Sequence, residues 1–216
     1  MSLPTIAKVG MGAAAAAGGT GVAGWQIASH INAKETIASH LSNKGRKVAN
    51  SESSWQKLLT FYKAEKSDAI SGLNKDSIGH KDIETWCLKE TAKPFEGAKK
   101  KDLLLIESWC SEPKTLEEQI ALKGKRKLST DTAQNSGDDQ SIWSANKESY
   151  KQEGDNYKIQ QSSDNNNWTD VAKGSATEDL MKKWCKAQET KHFKHEEDTL
   201  FQTYSKWCIT NKEGTN

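Results

Sequence analysis

Every cysteine in this chain directly follows a tryptophan. The four dipeptides are Trp86-Cys87, Trp109-Cys110, Trp184-Cys185 and Trp207-Cys208. The first two cysteines are 23 residues apart, and so are the last two. The second pair repeats the first at an offset of 98 residues, and Lys93 and Phe95 return at that offset as Lys191 and Phe193. Self-similarity of this kind marks an internal duplication, and a duplication constrains the architecture more than any single motif does.

The match continues upstream. Trp55 and Tyr62-Lys63 return as Trp143 and Tyr150-Lys151, offset 88. Thr36-Ile37, Leu41 and Lys44-Gly45-Arg46-Lys47 return as Thr115-Leu116, Ile120 and Lys123-Gly124-Lys125-Arg126-Lys127, offset 79. Both arginines of the chain fall in these clusters. The growing offset places two insertions of about ten residues in the second copy, within 129–141 and 154–175. Both stretches are polar, lack an apolar period and read as loops. The chain therefore divides into a module over 36–110 and a module over 115–208, joined by Ser111-Glu112-Pro113-Lys114.

Spacing within each module is helical. Thr36 is an N-cap residue, Ile37 and Leu41 share a face, and Gly45 suits a left-handed C-terminal turn. Ile83, Trp86 and Cys87 stand at i, i+3, i+4, as do Met181, Trp184 and Cys185. Leu103, Ile106 and Cys110 stand at i, i+3, i+7, as do Phe201, Tyr204 and Cys208, which puts each cysteine on a core-facing stripe. Trp55 and Tyr62, like Trp143 and Tyr150, are two helical turns apart and read as core. Alternating β-branched runs are scarce. The predicted fold is all-α: an N-terminal apolar helix followed by two small tandem helical modules of three or four short helices each.

Hydrophobic residues make up only 34% of the chain, so the cores are thin and thin cores need staples. Four cysteines allow three pairings. Pairing within each module, Cys87 with Cys110 and Cys185 with Cys208, is favoured because each pair travels with its own copy. It requires a turn near Lys93–Gly97, where Pro94 and Gly97 both interrupt helices. Reduced buried thiols and other pairings or redox chemistry remain open at this point.

Residues 1–30 carry a single charged side chain, Lys8, and residues 9–28 carry none. Twenty uncharged residues can span a bilayer as a helix, and a lysine ahead of them fits an anchor or an export signal. The expectation is a membrane anchor or signal segment over 1–30 that enters the lipid bilayer through residues 9–28. The loose Gly10-x-Gly12-x-x-Ala15 pattern lacks the strand, crossover helix and acidic residue of a dinucleotide site.

Charge narrows the function. With 31 Lys and Arg against 29 Asp and Glu, the chain lacks the basic excess of a nucleic-acid binder. No Cys-x-x-Cys is present. His192-x-x-His195 with Glu196 and Glu197 has Pro94 and Gly97 at the matching positions of the first copy, so it reads as a solvated face rather than a metal site. No serine or cysteine has an identifiable base, and no catalytic residue or cofactor is expected. The clusters containing Lys44, Arg46, Lys47, Lys125 and Arg126 are candidate ligand-binding residues for an acidic partner. They equally suit helix C-termini, where cations favour the dipole.

These features together, a short Gly/Ala N-terminus, Thr-Ile-x3-Leu-x2-Lys-Gly-Arg-Lys, Trp-x6-Tyr-Lys and paired Trp-Cys ends, resemble the large paralogous protein sets of haemotropic mycoplasmas. The preference for lysine over arginine matches the AT-rich genomes of that group. The resemblance implies a membrane-associated or surface-exposed protein engaged in host interaction or antigenic variation, and supplies no catalytic residues. The expected function is thus a non-enzymatic, membrane-anchored surface protein on the extracellular face of the cell membrane, with a host surface component as partner. A soluble adhesin using the basic clusters is the alternative, followed by a thiol-dependent enzyme.

Overall fold

A computed structural model describes residues 34–65, 69–131, 139–162 and 167–211. The anchor expected over 1–30, with its apolar helix at 9–28, lies outside the described residues. Among the described residues, no helix is long and apolar enough to cross a membrane.

Each copy contributes four helices in the same order. The first has α1 (Ile37–Asn43), α2 (Glu52–Ala64), α3 (His80–Thr91) and α4 (Lys100–Cys110). The second has α5 (Leu116–Leu122), α6 (Gln140–Glu153), α7 (Glu178–Gln188) and α8 (Thr199–Trp207). The opening helix of each copy begins with a capping box. Thr36 accepts the Ser39 N–H and Ser39 accepts the Thr36 N–H, and Thr115 and Glu118 repeat the exchange. Two backbone donors that the helix start would strand are thereby satisfied. Gly45 and Gly124 then leave these helices at φ 73° and 69°, the left-handed region that a Cβ disfavours.

The copies also repeat their long-range hydrogen bonds. The Ile37 N–H donates to the Lys93 carbonyl, as Leu116 does to Lys191. Phe95 donates to Glu35, as Phe193 does to Lys114, and Ala49 to Cys110, as Leu128 does to Cys208. The Tyr62 hydroxyl accepts the Ile70 N–H at 2.9 Å and faces the Leu73 carbonyl at 3.4 Å. The Tyr150 hydroxyl accepts the Ile159 N–H at 3.2 Å and donates to the Val171 carbonyl at 2.9 Å. Each buried tyrosine thus pins the loop between its second and third helices to the core.

Each copy encloses its own hydrophobic core. Ile37, Leu41, Trp55, Leu58, Tyr62, Ile83, Ile106 and Trp109 pack in the first, and Leu116, Ile120, Trp143, Tyr150, Met181, Phe193, Tyr204 and Trp207 in the second. Burying an aliphatic or aromatic side chain of this kind is worth about 1.5–3 kcal/mol, so few residues carry most of each core. A short connection joins the third and fourth helices of each copy, and a disulfide ties the third helix to the C-terminal end of the fourth. Cys87 is bonded to Cys110 with the Cα atoms 5.3 Å apart, and Cys185 to Cys208 with the Cα atoms 5.6 Å apart. The turn of the first copy contains Gly97 at φ 81°. Both cores belong to one compact unit that begins at Lys34.

The helical expectation leaves out four short strands. β1 (Lys125–Lys127) pairs antiparallel with β4 (Ile209–Asn211), and β2 (Gln160–Gln161) with β3 (Thr169–Asp170). The first copy keeps only a single bridge at the position of β1 and β4, between Val48 and Ser111. Pro113 stands where the second copy has Asn211, and proline has no N–H to extend a ladder. The hairpin β2–β3 lies in the second insertion, within the stretch read as a loop.

Candidate functional site

The basic residues expected to grip an acidic partner are mostly engaged within the chain. Lys44 Nζ lies 2.6 Å from Glu107 Oε2. Arg46 is only 5% exposed. Its Nη2 donates to the carbonyls of Glu107 (3.2 Å) and Lys194 (3.0 Å), and its guanidinium sits 4.6 Å from the centre of the Phe193 ring. Arg126 grips both carboxylate oxygens of Asp139 at 2.9 and 2.7 Å, the forked geometry in which a guanidinium binds best. Lys125 Nζ donates to Asn211 Oδ1. Lys47 is exposed, and its carbonyl accepts the Glu112 N–H at 2.7 Å. Lys44 and Lys123 occupy C-cap positions, so the helix-terminus reading describes these clusters better than a ligand grip does.

Arg46 belongs instead to a polar seam between the two copies. The turn between α7 and α8 rests on α2 and α4 of the first copy. His192, from that turn, is 7% exposed. Its ring stacks on Phe61 (centroids 4.7 Å apart) and on Trp109 (5.3 Å). Nε2 lies 2.8 Å from the Ser108 carbonyl and Nδ1 lies 3.3 Å from the Lys114 carbonyl. Lys194, 6% exposed, pairs with Glu65 at 2.7 Å and reaches Asp198 at 4.0 Å. Lys57 with Glu118 and Lys100 with Glu197 bridge the copies at the periphery.

Burial pulls the His192 imidazole down to about 4. The carbonyls of Ser108 and Lys114 oppose the shift, and the charges of Arg46 and Lys194 add to it. The ring is therefore neutral at physiological pH and carries one N–H, which the shorter contact assigns to Nε2. Burial likewise lowers His195 and raises the Asp198 carboxyl, against the pull of Lys194. Burial also lowers Arg46, which Glu107 and Glu196 counter. A seam of this kind favours one relative placement of the copies, because the Lys194–Glu65 pair and the bond from Arg46 to the Lys194 carbonyl form only in that arrangement.

The reading of residues 191–197 as a solvated face is corrected by the seam at His192 and Lys194, while Lys191, Glu196 and Glu197 are exposed as that reading has them. His192 and Lys194 are buried because the face of the first copy covers them. The position equivalent to His192 is Pro94 and that equivalent to Lys194 is Glu96, so the seam is built where the copies differ. Glu107 and Phe61 carried no signal in the chain's own repeat pattern, and Glu65, which returns as Glu153 at offset 88, was not marked as a seam residue by that repetition. Among the described residues, no group of three or more His, Cys, Asp or Glu side chains is placed to hold a metal ion.

Two clefts flank the fourth helix of each copy. One, of about 530 Å³, is lined by Lys101, Leu104 and Leu105 of α4 together with His195. The other, of about 310 Å³, lies against α7 and α8 and is lined by Thr199 and Thr203, the counterparts of Lys101 and Leu105. Comparison of the chain with known protein families, with curated proteins and with solved structures finds no match.

Proposed function

We propose that the chain is a non-enzymatic, membrane-anchored surface protein of the host-interaction or antigenically variable kind. Residues 9–28 hold it in the bilayer, and the duplicated unit stands on the extracellular face. The observation that carries this reading is the pairing of all four cysteines, one bond inside each copy. Disulfides persist outside the reducing cytosol, and small domains with thin cores depend on them there. The seam gives the unit a fixed frame, while the second copy's insertions add polar surface that varies at little cost to either core. A soluble adhesin that grips its ligand through the basic clusters is the weaker reading, because Lys44, Arg46, Lys125 and Arg126 are bonded within the chain.

Protease shaving of intact cells, followed by detergent phase partitioning, tests the proposal. The expected outcome is loss of the chain's helical unit from intact cells and partitioning of the uncut chain into detergent. A chain protected until the cells are lysed overturns it.

A further inference from the structure

The fourth helices of the two copies follow different patterns. Along α8, Phe201 and Tyr204 belong to the core, and Gln202 and Thr203 between them are polar. The same four positions of α4 are Leu103, Leu104, Leu105 and Ile106. An amphipathic helix needs apolar side chains only on the stripe that it buries, and Leu103 and Ile106 already supply that stripe in α4. Leu105 touches the core as well, but it and Leu104 are only half-buried and line the cleft of about 530 Å³ beside α4. Ala69 continues this apolar wall. A lone exposed leucine is ordinary. Two adjacent leucines on one concave surface form a continuous apolar patch, the kind of surface that marks a binding groove.

The same cleft carries cations. Lys100 and Lys101 line it, one helical turn before Leu104 and Leu105 and on the same face of α4. Their counterparts in the second copy are Asp198 and Thr199, so the copies differ in charge or polarity at all four positions. Lys100 lies 2.5 Å from Glu197 with both side chains well exposed, where such a pair is worth little. Lys101 is exposed and has no ion pair among the described residues. No carboxylate is among the residues that line the cleft. The other polar walls add no charge at neutral pH. The Ser108 hydroxyl donates to the Leu104 carbonyl at 2.7 Å, and burial lowers the His195 imidazole.

We propose that this cleft binds a fatty acid, with its carboxylate toward Lys100 and Lys101 and its acyl chain along Leu104, Leu105 and Ala69. An acyl chain removes the two leucines from water, and a carboxylate answers a positive mouth that no lining acid neutralises. The volume lies within the ~300–1,000 Å³ typical of small-molecule sites. The inference is independent of where the chain resides.

The test uses the full chain in nanodiscs of neutral phosphatidylcholine, titrated with dodecanoate that carries a photoactivatable diazirine, with empty nanodiscs as the blank. A chain that stays out of the nanodisc is titrated in buffer, so failure to anchor and failure to bind read separately. Cross-linked peptides are mapped by mass spectrometry. The expected result is saturable labelling confined to α4 and the segment at Ala69. Leu104→Gln with Leu105→Thr, the residues that α8 carries at these positions, weakens labelling about tenfold. Lys101→Ala weakens it about threefold, and the matching diazirine dodecanol, which lacks the charge, binds about fivefold more weakly than the acid. Gln202→Ala on α8 leaves labelling unchanged. Circular dichroism of each variant confirms its helix content, and Lys101→Ala, an exposed change, keeps the proposal testable where the leucine pair fails to fold. Labelling no greater than the blank, labelling elsewhere in the chain, equal labelling by the alcohol, or labelling undiminished in the folded variants overturns the proposal. So does a dimer of the chain that buries this cleft and excludes the probe.

Discussion

Acid should loosen the seam through one residue, His192. Its ring is 7% exposed, stacked between Phe61 and Trp109, and flanked by Arg46 and Lys194. The imidazole is held at about 4, against an ordinary value of 6.5. In the unfolded chain the same ring takes up a proton near its ordinary value. The unfolded state therefore binds more protons between about pH 6.5 and pH 4, and stability rises with pH across that window. The neutral ring's contribution is fully present above the window, is lost as pH falls through it, and levels off below. The two values correspond to about 3 kcal/mol at pH 4. Urea unfolding of the wild type and of His192→Phe at about pH 7.5 and about pH 4 measures it. Phenylalanine keeps an aromatic ring between Phe61 and Trp109 but does not titrate. Other groups also change stability with pH in both proteins, Asp198 in the opposite sense because burial raises its carboxyl, and that shared part cancels in the difference. The wild type is expected to lose about 3 kcal/mol more than the variant. Parallel losses would refute the assignment of a buried neutral imidazole to the seam.

The other predictions concern the frame. Tyr62→Phe and Tyr150→Phe each strand a buried backbone partner (Ile70 or Ile159) and should each cost about 1–3 kcal/mol in urea unfolding. Arg46→Met leaves the carbonyls of Glu107 and Lys194 without their donor and should cost about 3 kcal/mol, whereas Lys47→Ala on the exposed side should stay within about 0.5 kcal/mol. Replacing Cys87 and Cys110 together by serine should cost about 3 kcal/mol from the reopened loop, read as a lowered urea midpoint. Gly154→Ala places a Cβ 2.7 Å from the Tyr150 carbonyl oxygen and 2.8 Å from its ring, and should destabilise by about 2 kcal/mol.

The frame was legible because repetition made it so. Thr36 and Thr115, Gly45 and Gly124, and the tryptophan-flanked cysteines sit at matched spacings, and local chemistry gives each the same role in both copies. The seam was not legible for the complementary reason. Comparing a chain with itself rewards positions that agree, and His192, Lys194, Glu107 and Phe61 are positions that disagree. Their partners are also distant along the chain, as Arg46 is from the Lys194 carbonyl that it bonds. The short strands escaped because they bury little. Gln160, Gln161, Thr169 and Asp170 are all exposed, and Lys125–Lys127 is a run of three cations, so no apolar alternation marks either as a strand.

Each copy of the duplicated frame closes on its own sulfur bridge. Peptide mapping of the chain isolated from its native cells, with thiols blocked at lysis and no reductant, tests this directly. The predicted fragments join Cys87 to Cys110 and Cys185 to Cys208, with no blocked thiol. Four blocked thiols, or a fragment that joins a cysteine of one copy to a cysteine of the other, would contradict it.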